Sequence, residues 1–558
     1  MTIASPVERL SDQPDQPVPY NMGYVWGISL AAALGGLMFG YDWIVISGTK
    51  PFYERYFQLN TAWQEGWAMG SALVGCLIGA LLAGGLSDRL GRKRLLIFSA
   101  LVFVVSALGT AFVTTFSAFN AWRIVGGVAI GLASNLSPMY IAEVAPAVVR
   151  GRLVAMNQFT IVVGILLAQV VNYQIDVLSR KADELAVGSL AGSTSAWDAR
   201  RIAEELAWQV PRTERADVIE QFEQGARQRQ GLHSQQAVAE IANEWNAKRE
   251  KKLSVEGSDN ALAIALAGQG LTATNVSHGW RWMFGVTALP GCLFLLMMFF
   301  VPESPRWLVK GGQSPRAQSI LARIGGEEYA RAEVANIEST LVGEIERVDF
   351  GELWQPKMRW ILTLGVTLAV LQQWCGINVI FYYAADLFGA AGYTISAALF
   401  NIVIIGAVNL VFTVAAINSV DRFGRRPLML IGFAGLAAIH LLIGLCYWYE
   451  YSGVYVLALM LAAIGCYGLS LAPVTWVVLS EIFPNRIRGA AMSVSVFALW
   501  SACFLLTYTF PLLNEGLGTA GTFWIYAAIC AGGLLFTIRS LPETKGRTLE
   551  ELEQALVD

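Results

Sequence analysis

Apolar residues in this 558-residue chain gather in blocks of about 20, the length a helix needs to cross ~30 Å of hydrocarbon. Twelve such blocks are read as membrane-spanning helices: 24–47, 67–86, 95–115, 119–142, 153–174, 281–301, 360–387, 395–418, 428–448, 454–479, 490–513 and 521–540. The pattern predicts an all-α membrane protein. Two long polar stretches interrupt the series, one between spans 5 and 6 and one between spans 6 and 7.

The chain also repeats itself. "DRLGRKR" at 88–94, between spans 2 and 3, returns as "DRFGRRP" at 421–427, between spans 8 and 9. "EVAPAVVRG" at 143–151 returns as "EIFPNRIRG" at 481–489, and "PES" at 302–304 as "PET" at 542–544. Two six-span halves of like orientation are the arrangement of parallel repeats in transporters, with a substrate held between them. Glu143 and Pro302 are 159 residues apart, whereas Glu481 and Pro542 are 61 apart, so the first half carries a surplus of 98. The surplus falls at about 175–279. There Ile202, Leu206 and Val210, and again Val238, Ile241 and Trp245, recur at helical spacing, which predicts two to four amphipathic helices forming a cap. His233 stands alone in it and reads as a surface residue.

The expected organisation is a tail (1–20), spans 1–5 (21–174), the helical insertion (175–279), span 6 (280–302), a helical linker (303–358), spans 7–12 (359–541) and a second tail (542–558). Short-loop arginines and lysines set the orientation. Arg89, Arg92, Lys93 and Arg94 follow span 2, Arg150 and Arg152 follow span 4, Arg422, Arg425 and Arg426 follow span 8, and Arg486 and Arg488 follow span 10. The facing loops hold little beyond Lys50 and Arg55. Positive loops stay inside, so both termini and the linker are expected in the cytoplasm of a cell (inner or plasma) membrane, and the insertion outside. Residues 1–20 lack a signal peptide's basic start and cleavage site, which leaves span 1 as an uncleaved insertion signal.

Composition narrows the function. Hydrophobic residues make up 55% of the chain and charged ones 15%, with mean hydropathy +0.50. A net charge of −3 implies no nucleic-acid partner. The seven cysteines are scattered singly through the spans, without disulfide framework or zinc spacing, and read as packing residues. No phosphate loop, metal cluster or nucleophile–base arrangement is visible, so neither an enzyme nor a cofactor or metal is expected.

Against that apolar background Asp42 stands out, in "FGYDWIVISGT" of span 1. A lone Asp at mid-span costs ~2.5–3.5 kcal/mol even on the gentler insertion scales. Arg123, in "FNAWRIVGG" of span 4, lies at similar depth and can offset it. Desolvation raises a carboxyl's affinity for protons and a guanidinium lowers it. A change in the distance between the halves would then change proton binding, the physical requirement for proton coupling. The alternative is a static ion pair that locks two helices.

The motifs together resemble the sugar porters of the major facilitator superfamily. The matching stretches are "GGLSDRLGRKR", "RIVGGVAIGLASNLSPMYIAEVAPAVVRGRL", "PESPRWL", "QQWCGINVIFYY", "DRFGRRPL", "SEIFPNRIRGAAMS" and "PETKGRTLEELE". They run from about 24 to 555 and omit only the tail and the insertion. The nearest likeness is to bacterial proton symporters of the D-xylose and glucose type. The resemblance implies alternating access by rocking of two halves, and it associates the acid at Asp42 with proton symport. A facilitative uniporter, or a transporter-like sensor whose insertion binds an unknown protein partner, are the alternatives.

Sugar hydroxyls both donate and accept hydrogen bonds, as amide side chains do, and aromatic faces cover the C–H side of the ring. Span 7 supplies Gln372, Gln373, Asn378, Tyr382 and Tyr383, with Gly376 loosening the helix between them. Gln158 in span 5 and Asn409 in span 8 are further amides at membrane depth. The resemblance adds Phe39, Trp476 and Trp500 as aromatic positions that meet sugar. This chain has Ile165 and Leu499 where xylose symporters carry Gln, and Ala472 in place of a Gly. These departures lean the substrate towards a hexose.

Asp88, Arg92, Glu143, Arg150 and Arg152 in the first half, and Asp421, Arg425, Glu481 and Arg488 in the second, occupy equivalent helix ends. The resemblance implies that such charges pair across the seam to close the cytoplasmic mouth. Exposed pairs contribute only ~0–1 kcal/mol each, which suits a gate that must reopen.

Overall fold

The computed structural model of the protein describes residues 20–189, 197–210, 212–229, 231–232, 234–247, 253–255, 258–343, 355–451, 453–483 and 488–545. Spans 1 to 5 are the helices Met22–Phe57, Ala62–Leu90, Arg92–Phe112, Phe116–Val144 and Ala147–Ser189. Span 6 is Asn275–Phe300, whose first turn, Asn275–Gly279, is a π-helix. Span 7 comes in three pieces, Pro356–Trp374, Ile377–Tyr382 and Ala384–Ala390. Spans 8 and 9 are Ile395–Phe423 and Arg425–Trp448, and span 10 is Gly453–Leu469 followed by Leu471–Ile482. Spans 11 and 12 share the helical run Arg488–Ser540, divided where Gly518 takes a positive φ of 70°. Among the described residues eleven helices are long and apolar enough to span, and that division makes the twelfth.

Short polar residues start the helices. The Thr61 hydroxyl accepts the Gln64 N–H at the head of span 2, and Thr115 does the same for Ala118 at span 4, each satisfying an orphan donor. Inside the bundle, close approach depends on glycine. A Cβ on Gly40 of span 1 would collide with the Ile161 carbonyl of span 5, and one on Gly164 with the Leu37 carbonyl. Spans 2 and 4 meet likewise at Gly75, Gly79, Gly127 and Gly131, the small-residue packing by which helices associate in lipid. Apolar side chains such as Phe98, Leu101, Leu293 and Leu441 are exposed, as a lipid-facing surface requires.

The motif repeat is also a structural repeat. Arg92 opens span 3 and pairs with Glu143 at 3.0 Å, while Glu303 accepts the backbone N–H groups of Arg92 and Lys93. In the second half Arg425 pairs with Glu481 at 2.9 Å, while Glu543 accepts the N–H groups of Arg425 and Arg426. Each carboxylate thus sits at a helix N-terminus, where N–H groups and dipole favour it. Burial pushes the Glu543 carboxyl up, but the N–H groups of Lys545, Arg425 and Arg426 outweigh it and hold the group below the usual carboxylate range.

Span 5 departs from expectation. Its helix does not end near 174 but runs unbroken to Ser189, because no Gly or Pro interrupts 165–187. Beyond it, among the described residues, lie four cap helices, Ala199–Ala207, Arg212–Gln228, Gln235–Asn246 and Ser258–Gly268. They enclose a core of their own that contains Ile202, Leu206, Val210, Val238, Ile241 and Trp245, the residues picked out by spacing. His233 lies outside the described residues. Across the bilayer from the cap, the linker holds Pro305–Lys310 and Ser314–Gly343, the latter kinked at Gly325 and Gly326. All seven cysteines are free thiols.

Candidate functional site

Asp42 and Arg123 meet. Arg123 Nη1 donates to both carboxylate oxygens, at 2.8 and 2.9 Å, and both residues are buried. Arg123 also lies over the Phe284 ring, 5.3 Å from its centre, and its Nε has no partner. Spans 1 and 4 belong to the same half. The pair borders a cavity lined also by Phe39, Trp43, Cys76, Ile130 and Tyr382, and Tyr382 comes from the other half. The cavity, about 10 Å³, holds roughly one water.

Aromatic contacts lead from this cavity to the amides. Phe39, one turn before Asp42, packs edge-on against Trp500 with ring centres 5.9 Å apart. Trp43, one residue after Asp42, lies 5.3 Å from Tyr382 and 5.4 Å from Phe381. All three contacts cross from the first half to the second.

Span 7 breaks at Gly376, whose φ of 85° is open to glycine and strained for other residues. The break frees the Cys375 carbonyl, which His440 meets at 2.7 Å. It also gathers the amides. Gln373 Nε2 donates to Gln372 Oε1 at 2.6 Å, Gln372 Nε2 donates to the Tyr467 hydroxyl at 2.6 Å, and Asn378 Nδ2 donates to Gln373 Oε1. These groups satisfy one another, and each bond can be exchanged for one to a hydroxyl.

Phe39, Asp42, Arg123, Tyr382 and Trp500 therefore form one contact set and Gln372, Gln373 and Asn378 another, with Asn378 and Tyr382 on the same short helix. The remaining candidates stand apart from both. Gln158 is exposed, with its neighbour Asn157 turned towards Gly36 of span 1. Asn409 is buried on span 8, facing Gly468 of span 10, and Trp476 is 40% exposed. Trp43 and Tyr467 were missed in the sequence, since an aromatic in an apolar run carries no signal of its own.

Among the charges predicted to close the mouth opposite the cap, the described pairs join residues of one half. Arg92 contacts Asp88 at 3.1 Å as well as Glu143, and Arg425 contacts Glu481. Arg150 and Arg152 are exposed, and the side chains of Asp421 and Arg488 lie outside the described residues. At the cap side the halves touch. Trp67 packs against Phe504, Tyr173 against Phe400, and the Ser396 hydroxyl donates to Asp176 at 2.7 Å.

A family model described as "Sugar (and other) transporter" matches residues 28–198 and 261–556. The chain is 33% identical to the arabinose-proton symporter of Bacillus subtilis, over 97% of each chain. It is 34% identical to the D-xylose-proton symporter of Escherichia coli, over 96% of each. A solved structure of the xylose transporter XylE from E. coli, in a partially occluded inward open conformation, matches with TM-score 0.69 and 32% identity, covering 94% of this chain and all of that one.

Proposed function

The chain belongs to the sugar transporter family, and from that premise we propose that it carries a monosaccharide, a hexose in preference to a pentose, together with a proton across a cell (inner or plasma) membrane. The cap lies outside and both tails lie in the cytoplasm. One observation carries the reading: the Asp42–Arg123 pair shares its cavity wall with Phe39, Trp43 and Tyr382, side chains that also adjoin Trp500 and the span 7 helix bearing Asn378. Proton and sugar thus act on the same few residues.

In the present arrangement the outer ends of the halves touch. Alternating access requires that seam to part while the cytoplasmic mouth closes, with Arg92, Glu143, Arg425 and Glu481 re-pairing across it. Protonation of Asp42 removes its charge and loosens its hold on Arg123. Sugar bound among Gln372, Gln373 and Asn378 replaces the amide-to-amide bonds with bonds to hydroxyls. One charge moving through 100 mV supplies ~2.3 kcal/mol, enough for roughly 50-fold accumulation of a neutral solute. Buried, apolar Ile165 and Leu499, where xylose symporters carry amides, support the hexose preference.

The test is uptake of D-glucose, D-galactose, D-xylose and L-arabinose into proteoliposomes, with and without an imposed proton gradient. The expected result is gradient-driven accumulation of a hexose and sugar-dependent alkalinisation outside. Equilibration without accumulation for every sugar would overturn proton coupling, and accumulation of a pentose alone would overturn the hexose preference.

A further inference from the structure

Lys50 lies near the cap-side end of span 1 and is 2% exposed. Three carboxylates surround its ammonium: Glu54 of the same helix at 2.6 Å, Asp386 at 2.8 Å and Glu65 of span 2 at 3.6 Å. Asp386 alone comes from the other half, on the short helix Ala384–Ala390. The cap joins the same cluster. Arg212, on the second cap helix, pairs with Glu65 and lies 3.6 Å from Glu515, at the far end of span 11 in the second half. Other cap contacts hold to the first half, with Arg55 on Glu205 and Arg180 on Asp259.

We propose that Lys50 and Arg212 form an ionic latch that keeps the cap-side mouth shut, so that the inserted cap helps to gate this mouth of the transporter. The charges are distributed as a reversible latch requires. A buried lysine that lost every partner would be left as an uncompensated charge. Lys50 avoids this, because Glu54 and Glu65 stay with it when Asp386 departs. Arg212 likewise keeps Glu65 when Glu515 leaves. Asp386 is the partner built to move. Its side chain is 35% exposed, against 8% for Glu54 and 10% for Glu65, and breaks at Gly376 and Tyr383 separate its helix from the long part of span 7. Water can therefore receive its charge as the halves part.

Hydrogen–deuterium exchange of the full-length protein without sugar tests this independently of what is transported. In Asp386→Asn and in Arg212→Gln, exchange at residues 50–57 and 384–390 is expected to rise about fivefold, the effect of losing one partly exposed ion pair. Exchange at 92–98 and 425–431, on the opposite side, should fall as that mouth closes. Arg227→Gln, at an exposed cap arginine paired, among the described residues, with Glu223 of its own helix, serves as the control and should match the wild type. Faster exchange on both sides would mean a loosened fold, and no change would mean no latch; either overturns the proposal. If Asp386→Asn does not fold, Arg212→Gln, which lies outside the bundle, decides alone.

Discussion

Arg123 grips Asp42 through a single nitrogen, Nη1, shared between both carboxylate oxygens at 2.8 and 2.9 Å. Arginine and carboxylate often meet instead through two parallel bonds, which is the stronger geometry. The one-nitrogen contact leaves the buried Nε without a partner and makes the pair easier to undo. That suits the proton-coupling role proposed for Asp42.

Asp42→Asn should therefore abolish uphill uptake while sugar exchange down a gradient continues. Counterflow and gradient-driven uptake in the same proteoliposomes measure the two separately. Undiminished accumulation in the variant would remove Asp42 from the coupling step.

Gln373 donates to Gln372 and accepts from Asn378, so it is the centre of the amide chain. Gln373→Ala deletes a hydrogen-bonding partner worth ~0.5–1.5 kcal/mol, which should weaken sugar binding roughly 2- to 10-fold. The rise is expected in KM for uptake, or in Kd by calorimetry, with the melting temperature little changed.

Gly376 sets the break in span 7 at a φ of 85°, and an added Cβ would lie 2.8 Å from the Tyr526 ring. Gly376→Ala is expected to destabilise the protein by about 1–3 kcal/mol and to reduce transport. Thermal unfolding in detergent provides the first measurement and initial uptake rates the second. Wild-type values for both would show that the break is not needed.

The Glu543 carboxyl is held below its usual range by N–H groups of Lys545, Arg425 and Arg426. A lowered value in the folded chain means that this stabilisation is present above the ordinary carboxylate range, about pH 4.3, and is lost as pH falls through the lowered value. Acidification should therefore speed amide exchange at the start of span 9 in the wild type. In Glu543→Gln that part of the acid response should be missing. The group is only partly buried and water screens it, so the stability cost at neutral pH should stay below about 1 kcal/mol.

Much of this was legible in the sequence because lipid imposes strict costs. Apolar blocks of fixed length show the spans, and an acid and a base at one depth show the Asp42–Arg123 pair. The repeat of "DRLGRKR" and "DRFGRRP" shows the halves. The joining of Gln373 to Asn378 was not legible, since residues five apart do not share a helix face; only the break at Gly376 brings them together. Lys50 was hidden for another reason. Polar letters after residue 47 read as a loop, yet span 1 stays helical to Phe57, supported by carboxylates from distant parts of the chain. Such partners have no sequence spacing to recognise.

Span 5 extends that lesson beyond the bilayer. Its 43 uninterrupted helical residues make a rod about 64 Å long, twice the thickness of the hydrocarbon it crosses. Each degree by which such a rod leans displaces its tip by about 1 Å. The four small helices that follow that tip would magnify any tilt as the pointer of a lever does, so a probe fixed to them would read a tilt that takes place inside the lipid.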